Sequence, residues 1–512
     1  MNIKQAKEEI RHTVQAYLLK DDMGEYMIPV VRQRPVLLIG PPGIGKTAIM
    51  SQVARELQVG LVAYTITHHT RQSAIGLPYI EKREYGGRMM EITEYTMSEI
   101  VASIYDKIEA TGLKEGILFI DEINCVSETL APTMLQFLQG KTFGNHKIPE
   151  GWVIVAAGNP PEYNQSVRDF DIVTLDRVKK IIVDADFSVW KAYAYENGMH
   201  SAILSYLDIK KENFYQIETT VDGIDIVTAR GWEDLSKLML VYEKLDFPVD
   251  ESVISQYIQN RRIAKDFANY LDLYRKYQTD YDVDAVVEGR IKGSAIERIR
   301  QASFDEKLSV INLLISRLTA TFSDVYAKDR YVRELYEILK ELKFLLGRAS
   351  DKNQIGEIMD KKISQTEESL EAAKAGGLYD ADRILAVKQT IAALEGYRRM
   401  TAGDASLTPA AAFDKIKAEF SRDTEARKAL LSQGSSHLEH AFEFMEQAFG
   451  ESQEMVIFMT ELNANPYCVR FIRDNGSVKY DRYNQSLLFD ETRQSLLRDI
   501  DDLSDLTTLL DR

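Results

Sequence analysis

The octapeptide GPPGIGKT, residues 40–47, is the most informative stretch of this chain. It fits the pattern G-x-x-x-x-G-K-[ST]. The apolar run at residues 36–39 reads as a buried strand before it, and residues 48–57 read as a helix after it. Glycines let successive backbone N–H groups converge on phosphate oxygens at a helix N-terminus, which already favours anions. The stretch therefore predicts a phosphate-binding loop.

The loop also assigns individual contacts to a nucleotide. We expect Lys46 to reach the β- and γ-phosphates, and the hydroxyl of Thr47 to bind Mg²⁺. These expectations make ATP and Mg²⁺ the cofactors. The residues expected to surround the phosphates are Gly40, Pro41, Pro42, Gly43, Ile44, Gly45, Lys46, Thr47 and Ala48.

A second apolar strand, ILFIDE at residues 117–122, ends in Asp121 and Glu122. Strands that are buried on both faces are apolar throughout, and open α/β sheets bind their ligands at the carboxyl ends of such strands. We therefore expect Asp121 to hold Mg²⁺ through water. Glu122 would orient or deprotonate the water that attacks the γ-phosphate.

A third buried strand at residues 151–157 ends in Gly158-Asn159-Pro160-Pro161. An asparagine before proline is also common in turns. At the carboxyl end of a strand beside the Asp-Glu strand, however, Asn159 is placed to contact the γ-phosphate or the attacking water. We therefore count Asn159 among the candidate catalytic residues.

The chain divides into a mixed first part and an almost wholly helical second part. Residues 1–185 alternate strand-like and helix-like segments, which predicts an α/β domain with a parallel sheet and crossover helices. Two β-hairpins are predicted inside it, one around Gly86-Gly87 and one around Gly144-Asn145. At 512 residues the chain is too long for one core, so further domains are expected.

Beyond the α/β domain we expect a helical lid over residues 186–270 and a mostly helical domain over residues 271–512. Apolar residues at spacings of three and four, interrupted by Gly376-Gly377, predict a helical hairpin arm over residues 353–400. Near the C-terminus, Asp474-Asn475-Gly476 lies between two short apolar-aromatic segments. This pattern predicts a small β-hairpin over residues 467–483.

Together these motifs resemble the AAA+ ATPases, and within them the MoxR-like branch that groups with the magnesium-chelatase type. The resemblance covers about residues 1–270. It implies that Asn159 is the sensor 1 residue, that Arg177 is the arginine finger reaching a neighbouring subunit's nucleotide, and that Arg230 is the sensor 2 residue of the lid. It rests on GPPGIGKT, ILFIDEIN, AAGNP, the LDR of residues 175–177 and TARGWEDLS at residues 228–236.

Physical chemistry supports a role for arginines at such a site. Phosphoryl transfer gathers negative charge in its transition state, and an arginine supplied by a neighbouring subunit stabilises that charge. Arg177 lies near the end of the sheet domain, where a ring neighbour would dock. Arg168 and Arg71 lie in the same region, so the choice among the three stays open at this point.

The resemblance implies a ring-shaped assembly, a hexamer, that hydrolyses ATP to remodel or mature a protein partner as a chaperone. It also implies a possible partner with a von Willebrand A domain. Two alternatives stay open: an AAA+ motor acting on nucleic acid, and a scaffold that binds ATP to assemble but turns it over little. Intact Glu122, Asn159 and Arg177 argue against the scaffold.

Composition narrows these choices. A net charge of −16 disfavours broad contact with nucleic acid, which normally needs a basic surface. Two cysteines, Cys125 and Cys468, make no disulfide framework and suit a reducing cytoplasm, where we expect the protein. No run of eighteen apolar residues occurs, so no membrane span is predicted.

Overall fold

The computed structural model describes residues 1–68, 70–143, 146–163, 170, 172–220, 223–349, 353–402 and 407–485. Helices and strands alternate in its first part, as the sequence pattern predicts. These elements are α1 Ile3–Leu18, β1 Val36–Ile39, α2 Lys46–Leu57, β2 Gly60–Thr65, α3 Arg71–Ile75, β3 Pro78–Tyr85, β4 Arg88–Tyr95, α4 Glu99–Thr111, β5 Gly116–Asp121, α5 Ala131–Gly140, β6 Thr142–Phe143, β7 His146–Lys147, β8 Trp152–Gly158, α6 Ile172–Leu175 and β9 Lys179–Ile182.

Five of these strands form one parallel sheet in the order β2-β5-β8-β1-β9. Side chains alternate across β5: Ile117 and Phe119 pack with α1 and α2, while Leu118 and Ile120 pack on the opposite face. Both faces are buried, which explains why the strand sequences are continuous apolar runs. The carboxyl ends of β1, β5 and β8 meet at one edge of the sheet, and this edge places the candidate site.

Both predicted β-hairpins of the α/β domain are present. β3 and β4 pair antiparallel, and Gly86 and Gly87, with φ of +57° and +79°, make the two-residue turn between them. Positive φ at both positions is what such a turn requires, and glycine adopts it without steric cost. β6 pairs with β7 in the second hairpin, whose turn residues 144–145 lie outside the described residues.

The region after the sheet is helical with one small antiparallel strand pair. Its elements are α7 Phe187–Glu196, α8 Ser201–Ile209, β10 Gln216–Thr220, β11 Gly223–Val227, α9 Ala229–Lys244, α10 Glu251–Ser255 and α11 Arg261–Tyr281. The expected boundary at residue 270 falls inside α11. One hydrophobic core runs across that position, from Trp232 and Phe267 to Phe442 and Phe458.

The remaining described residues are helical. Their helices are α12 Val283–Val287, α13 Gly293–Gln301, α14 Phe304–Arg348, α15 Asn353–Gly376, α16 Ala381–Ala402, α17 Pro409–Phe449, α18 Gln453–Ala464 and α19 Pro466–Asn475. By length and composition alone, α14 would be long and apolar enough to cross a membrane. In the fold, 61% of its most apolar window is buried, as expected for the central helix of a bundle.

The predicted helical hairpin is present as α15 and α16, but it does not project as a free arm. It packs on α14 through a core that includes Leu342, Met359 and Leu394. Its tip reaches the α/β domain, where Lys107 of α4 donates to the carbonyl of Ala375 at 2.6 Å. The charged flanks suggested an exposed hairpin, but burying its apolar side chains against α14 is favourable, and the hairpin therefore packs on that helix.

The β-hairpin predicted over residues 467–483 is wrong. Residues 466–475 form α19, and residues 478–485 are helical as well. Asn465 caps α19 by accepting from two backbone N–H groups, Pro466 occupies its first turn, and Gly476 follows its end with φ of +75°. The glycine therefore terminates a helix rather than turning a hairpin, and the helix start and stop residues were the decisive signal.

Candidate nucleotide-binding site

The phosphate-binding loop joins β1 to α2 and is shaped by two glycines. Gly43 and Gly45 have φ of +74° and +95°, and Gly45 is the residue immediately before α2. A side chain at either position would strain the backbone. Because α2 begins at Lys46, its first free N–H groups point out of the helix end at the loop, where they can bind an anion.

Lys46 is buried at the centre of the site, with 7% of its surface exposed. Its Nζ donates to the carbonyls of Gly40 at 2.7 Å and Pro41 at 2.8 Å, and to Oδ1 of Asn159 at 2.9 Å. The pKa of Lys46 is lowered to about 8, chiefly by burial and in part by nearby Arg230, while the carboxylates of Asp121 and Glu122 oppose the shift. The ammonium is therefore held in place while its positive charge is only partly balanced by nearby carboxylates. This arrangement favours the binding of an anion.

The two predicted magnesium ligands are in direct contact. Thr47 Oγ1 donates to Asp121 Oδ2 at 2.8 Å, so a hydroxyl and a carboxylate oxygen converge between α2 and β5. Among the described residues, no group of three or more His, Cys, Asp or Glu side chains is placed to hold a metal ion. Mg²⁺ is typically bound by one or two protein oxygens together with waters and phosphates, so this pair fits that ion.

Glu122 lies directly after β5 in an uncommon backbone conformation, with φ of +57°. Its N–H donates to Asp121 Oδ1 at 2.9 Å, and its Oε2 accepts from Thr67 Oγ1 at 2.7 Å. Non-glycine residues at positive φ cost free energy and persist only where the surroundings fix them, often at functional sites. The Thr67 contact was not predicted. The position of Thr67 just after β2, next to β5, is the signal that would have indicated it.

Asn159 is fixed from both sides. Besides accepting from Lys46, it offers its backbone carbonyl to Asn124 Nδ2 at 2.7 Å. Asn124 in turn packs against Gly158 so closely that a Cβ on the glycine would lie 2.4 Å from Asn124 Oδ1. Asn124 therefore positions the asparagine at the end of β8, a role that the ILFIDEIN motif contained but that sequence reasoning did not assign.

A cavity of about 470 Å³ opens in front of the loop. Eleven predicted site residues line it: Pro42, Gly43, Ile44, Gly45, Lys46, Thr47, Ala48, Asp121, Glu122, Asn159 and Arg230. The other walls come from α1, α7 and α9, with Ile3, Lys4, Lys7, Trp190, Tyr193 and Glu233, and from Phe214 between α8 and β10. Trp190 also belongs to the hydrophobic core of the helical region.

The lid touches the loop directly. Tyr215 donates its hydroxyl hydrogen to the carbonyl of Pro42 at 2.9 Å. A Cβ on Gly43 would lie 3.1 Å from Thr228 Cβ and 3.5 Å from Arg230 Cβ, so α9 begins against the loop. The start of α9, with Arg230, is therefore packed against the phosphate-binding loop.

Arg177 lies outside this cavity. Its side chain is exposed and donates to Oε1 of Gln139 at the end of α5. Ile172 and Val173 beside it are 86% and 56% exposed. Within one chain, the structure thus does not bring Arg177 to the other site residues. Arg168 and the side chain of Arg71 lie outside the part of the chain that the structure describes.

The parallel sheet, the glycine loop and the carboxylates at the ends of β5 define an α/β nucleotide-binding domain with the AAA+ fold, followed by a large helical region. Residues 36–177 match the family model described as the ATPase family associated with various cellular activities (AAA). This match supports an ATPase domain in the chain.

A comparison with curated protein sequences finds no match. Among solved structures, the chain is similar to the FIGL-1 AAA domain, crystallised in complex with ADP. The two are 14% identical, and the match covers 54% of this chain and 88% of that chain with a TM-score of 0.29. A likeness this weak carries no argument about function.

Proposed function

We propose that this chain is a Mg²⁺-dependent ATPase of the MoxR-like type that assembles as a ring, a hexamer, and remodels a protein partner. The observation that carries the proposal is the convergence of Lys46, the Thr47–Asp121 pair, Glu122 and Asn159 on one cavity. These groups come from the carboxyl ends of the neighbouring strands β5 and β8 and from the start of α2. Their chemistry matches what phosphoryl transfer needs: charge, a metal site and a base.

Each residue has a separate task in this reaction. Lys46 exchanges its carbonyl contacts for phosphate oxygens, and Asn159 keeps the ammonium aligned through the 2.9 Å contact. Glu122 accepts the proton of the attacking water once its carboxylate turns from Thr67. Mg²⁺, held by Thr47 and Asp121, would neutralise phosphate charge.

The ring is supported by the position of Arg177. An arginine finger has to be exposed on its own subunit, and Arg177 lies on an exposed surface beside the apolar side chains of Ile172 and Val173. Exposed apolar residues next to a charged group are typical of a protein interface. A neighbour docked here would receive the guanidinium at its own nucleotide.

The partner side of the proposal concerns a protein client matured in the cytoplasm, with a von Willebrand A domain protein as a candidate companion. It is supported by the size of the helical region after the sheet, which carries no catalytic motif. A chain with only two cysteines, Cys125 and Cys468, suits a reducing compartment.

Mixing two inactive variants tests the arrangement. Arg177→Ala keeps a complete cavity but lacks the finger, whereas Glu122→Gln keeps the finger but lacks the base. In a ring, Arg177→Ala subunits gain a finger from Glu122→Gln neighbours, so the mixture should hydrolyse ATP faster than either variant alone.

Four outcomes contradict parts of the proposal. A mixture no faster than its components would show that Arg177 does not act between subunits. Full activity of Arg177→Ala alone would move the finger to Arg168. Negligible turnover by the wild-type ring with tight ATP binding would favour the scaffold alternative, and stimulation by DNA or RNA at near-physiological salt would favour a nucleic-acid motor.

A further inference from the structure

A second cavity, of about 440 Å³, opens in the helical region between α14, α17 and α19. Its floor is apolar and buried: the rings of Phe322 and Phe471 stack there with 4.1 Å between their centroids, and Val325 lies beside them. Among the described residues, it shares no lining residue with the nucleotide cavity. We call it the arginine cleft.

The cleft takes its name from its rim. Four arginines line it, and only two carboxylates do, which leaves a local charge of about +2 in a chain whose net charge is −16. The charged residues are Arg333, Arg427, Arg470, Arg473, Asp329 and Asp474. A positive concavity on an acidic protein attracts a negatively charged ligand and repels a positively charged one.

The arginines are held in place before any ligand arrives. Asp329 is largely buried, accepts from Arg427 Nε at 2.6 Å and forms an ion pair with Arg333, whose Nε lies 2.7 Å from Asp329 Oδ2. Arg470 lies over the ring of Tyr326 at 3.7 Å, and its ion pair with Asp474 is long, at 3.8 Å. Guanidinium groups ordered in this way can bind a carboxylate through two parallel hydrogen bonds without a large entropy cost.

The cleft is connected to the lid of the nucleotide site. Tyr467 of α19 lines the cleft and donates its hydroxyl hydrogen to the carbonyl of Glu196 at 3.3 Å. Glu196 is the last residue of α7, and its side chain lines the nucleotide cavity. A ligand that presses on Tyr467 therefore acts on the lid helix through one hydrogen bond.

We propose that the arginine cleft binds an acidic segment of a protein partner, with carboxylates on Arg470 and Arg473 and one apolar side chain on the Phe322–Phe471 floor. The occupant follows from the charge of the rim and from the apolar floor, which a phosphate backbone would leave uncovered. This inference deepens the proposed function, since it gives the partner a docking site. Binding is measured without nucleotide, so a failure of the cleft is distinct from a failure of ATP hydrolysis.

Fluorescence anisotropy with the full chain tests the site. The probe is a fluorescein-labelled peptide in which glutamates alternate with leucines, and a peptide with glutamine in place of every glutamate is its neutral control. We expect the acidic peptide to bind and the neutral peptide to bind at least about tenfold more weakly. Arg473→Glu, at a side chain 71% exposed, should weaken acidic-peptide binding by at least about tenfold without affecting folding.

A matched variant controls for the change in net charge. Arg422→Glu makes the same substitution on α17, at a side chain 77% exposed that pairs with Glu419 and does not line the cleft. It should bind the peptide as the wild type does. Peptide should also alter the ATPase rate of the wild type and leave that of Arg473→Glu unaltered, because the Tyr467–Glu196 contact joins the two sites.

The remaining outcomes overturn the assignment. Equal binding of the acidic peptide to the wild type and Arg473→Glu would show that the cleft is not the site. Tighter binding of an oligonucleotide of equal charge would assign the cleft to nucleic acid. Residues 486–512 carry seven acidic and three basic side chains. If the full chain does not bind the acidic peptide but a chain ending at Gln485 does, then residues 486–512, and not a partner, occupy the cleft.

Discussion

Substitution of Glu122 by glutamine isolates the chemical step from nucleotide binding. The amide has the shape of the carboxylate, and its oxygen can still accept from Thr67 Oγ1, now 2.7 Å from Glu122 Oε2. The contacts of Lys46 with Gly40, Pro41 and Asn159 are untouched. The variant therefore keeps the fold and the phosphate-binding loop and loses only the proton acceptor.

The size of the effect follows from this role. A positioned general base contributes about 10²–10⁴ in rate, which corresponds to about 2.7–5.4 kcal/mol of the activation barrier. We expect kcat to fall by that factor while the dissociation constant for ATP stays within about threefold of the wild type. Removing a carboxylate that raises the pKa of Lys46 accounts for a small loss of affinity.

Phosphate release measures the rate, and titration with a fluorescent ATP analogue measures binding. Glu162→Gln is the matched control, because Glu162 follows β8 at the same edge of the sheet, is exposed and does not line the cavity. It should hydrolyse ATP as the wild type does. If Glu122→Gln retains more than about a third of the wild-type rate, Glu122 is not the base and the assignment fails.

Three further perturbations test the neighbouring contacts. The pKa of Lys46 is lowered to about 8, chiefly by burial, so its charged form is lost as pH rises through that value. ATP affinity should therefore fall about tenfold per pH unit above it. An ATP affinity that stays constant across this pH range would refute the prediction. Tyr215→Phe removes a hydrogen bond worth about 0.5–1.5 kcal/mol between the lid and the loop. Calorimetry should therefore show ATP binding about two- to tenfold weaker. Unchanged ATP affinity would mean that ATP binding does not depend on this contact. Gly158→Ala places a Cβ 2.4 Å from Asn124 Oδ1 and should lower the free energy of unfolding, measured in urea, by about 1–3 kcal/mol. An unchanged urea midpoint would show that the Asn124 side chain moves aside without cost.

The sheet and the edge that carries the candidate site were predictable because the relevant signals are local. A strand buried on both faces has to be apolar along its length, so the sequence alone predicted β1, β5 and β8. Polar residues directly after such strands meet at one edge of a parallel sheet, which brought Asp121, Glu122 and Asn159 together as expected.

Predictions failed where two local signals competed or where packing decided. Asp474-Asn475-Gly476 is compatible with a hairpin turn and with a helix end, and the helix won because Asn465 and Pro466 start a helix ten residues earlier. The charged flanks of α15 and α16 suggested an exposed arm, yet their apolar stripe is long enough to be buried on α14.

The phosphate-binding loop, its Asp-Glu strand and the asparagine after β8 were predictable from the sequence alone, because spacing and residue type constrain those features over a few residues. The folded arrangement was needed to show that Thr67 contacts Glu122, that Lys4 and Lys7 of α1 line the nucleotide cavity, and that Arg177 lies outside it. It also decided that arginines from three helices share one cleft. Contacts between residues far apart in the chain depend on how helices pack, and local periodicity carries no record of that packing.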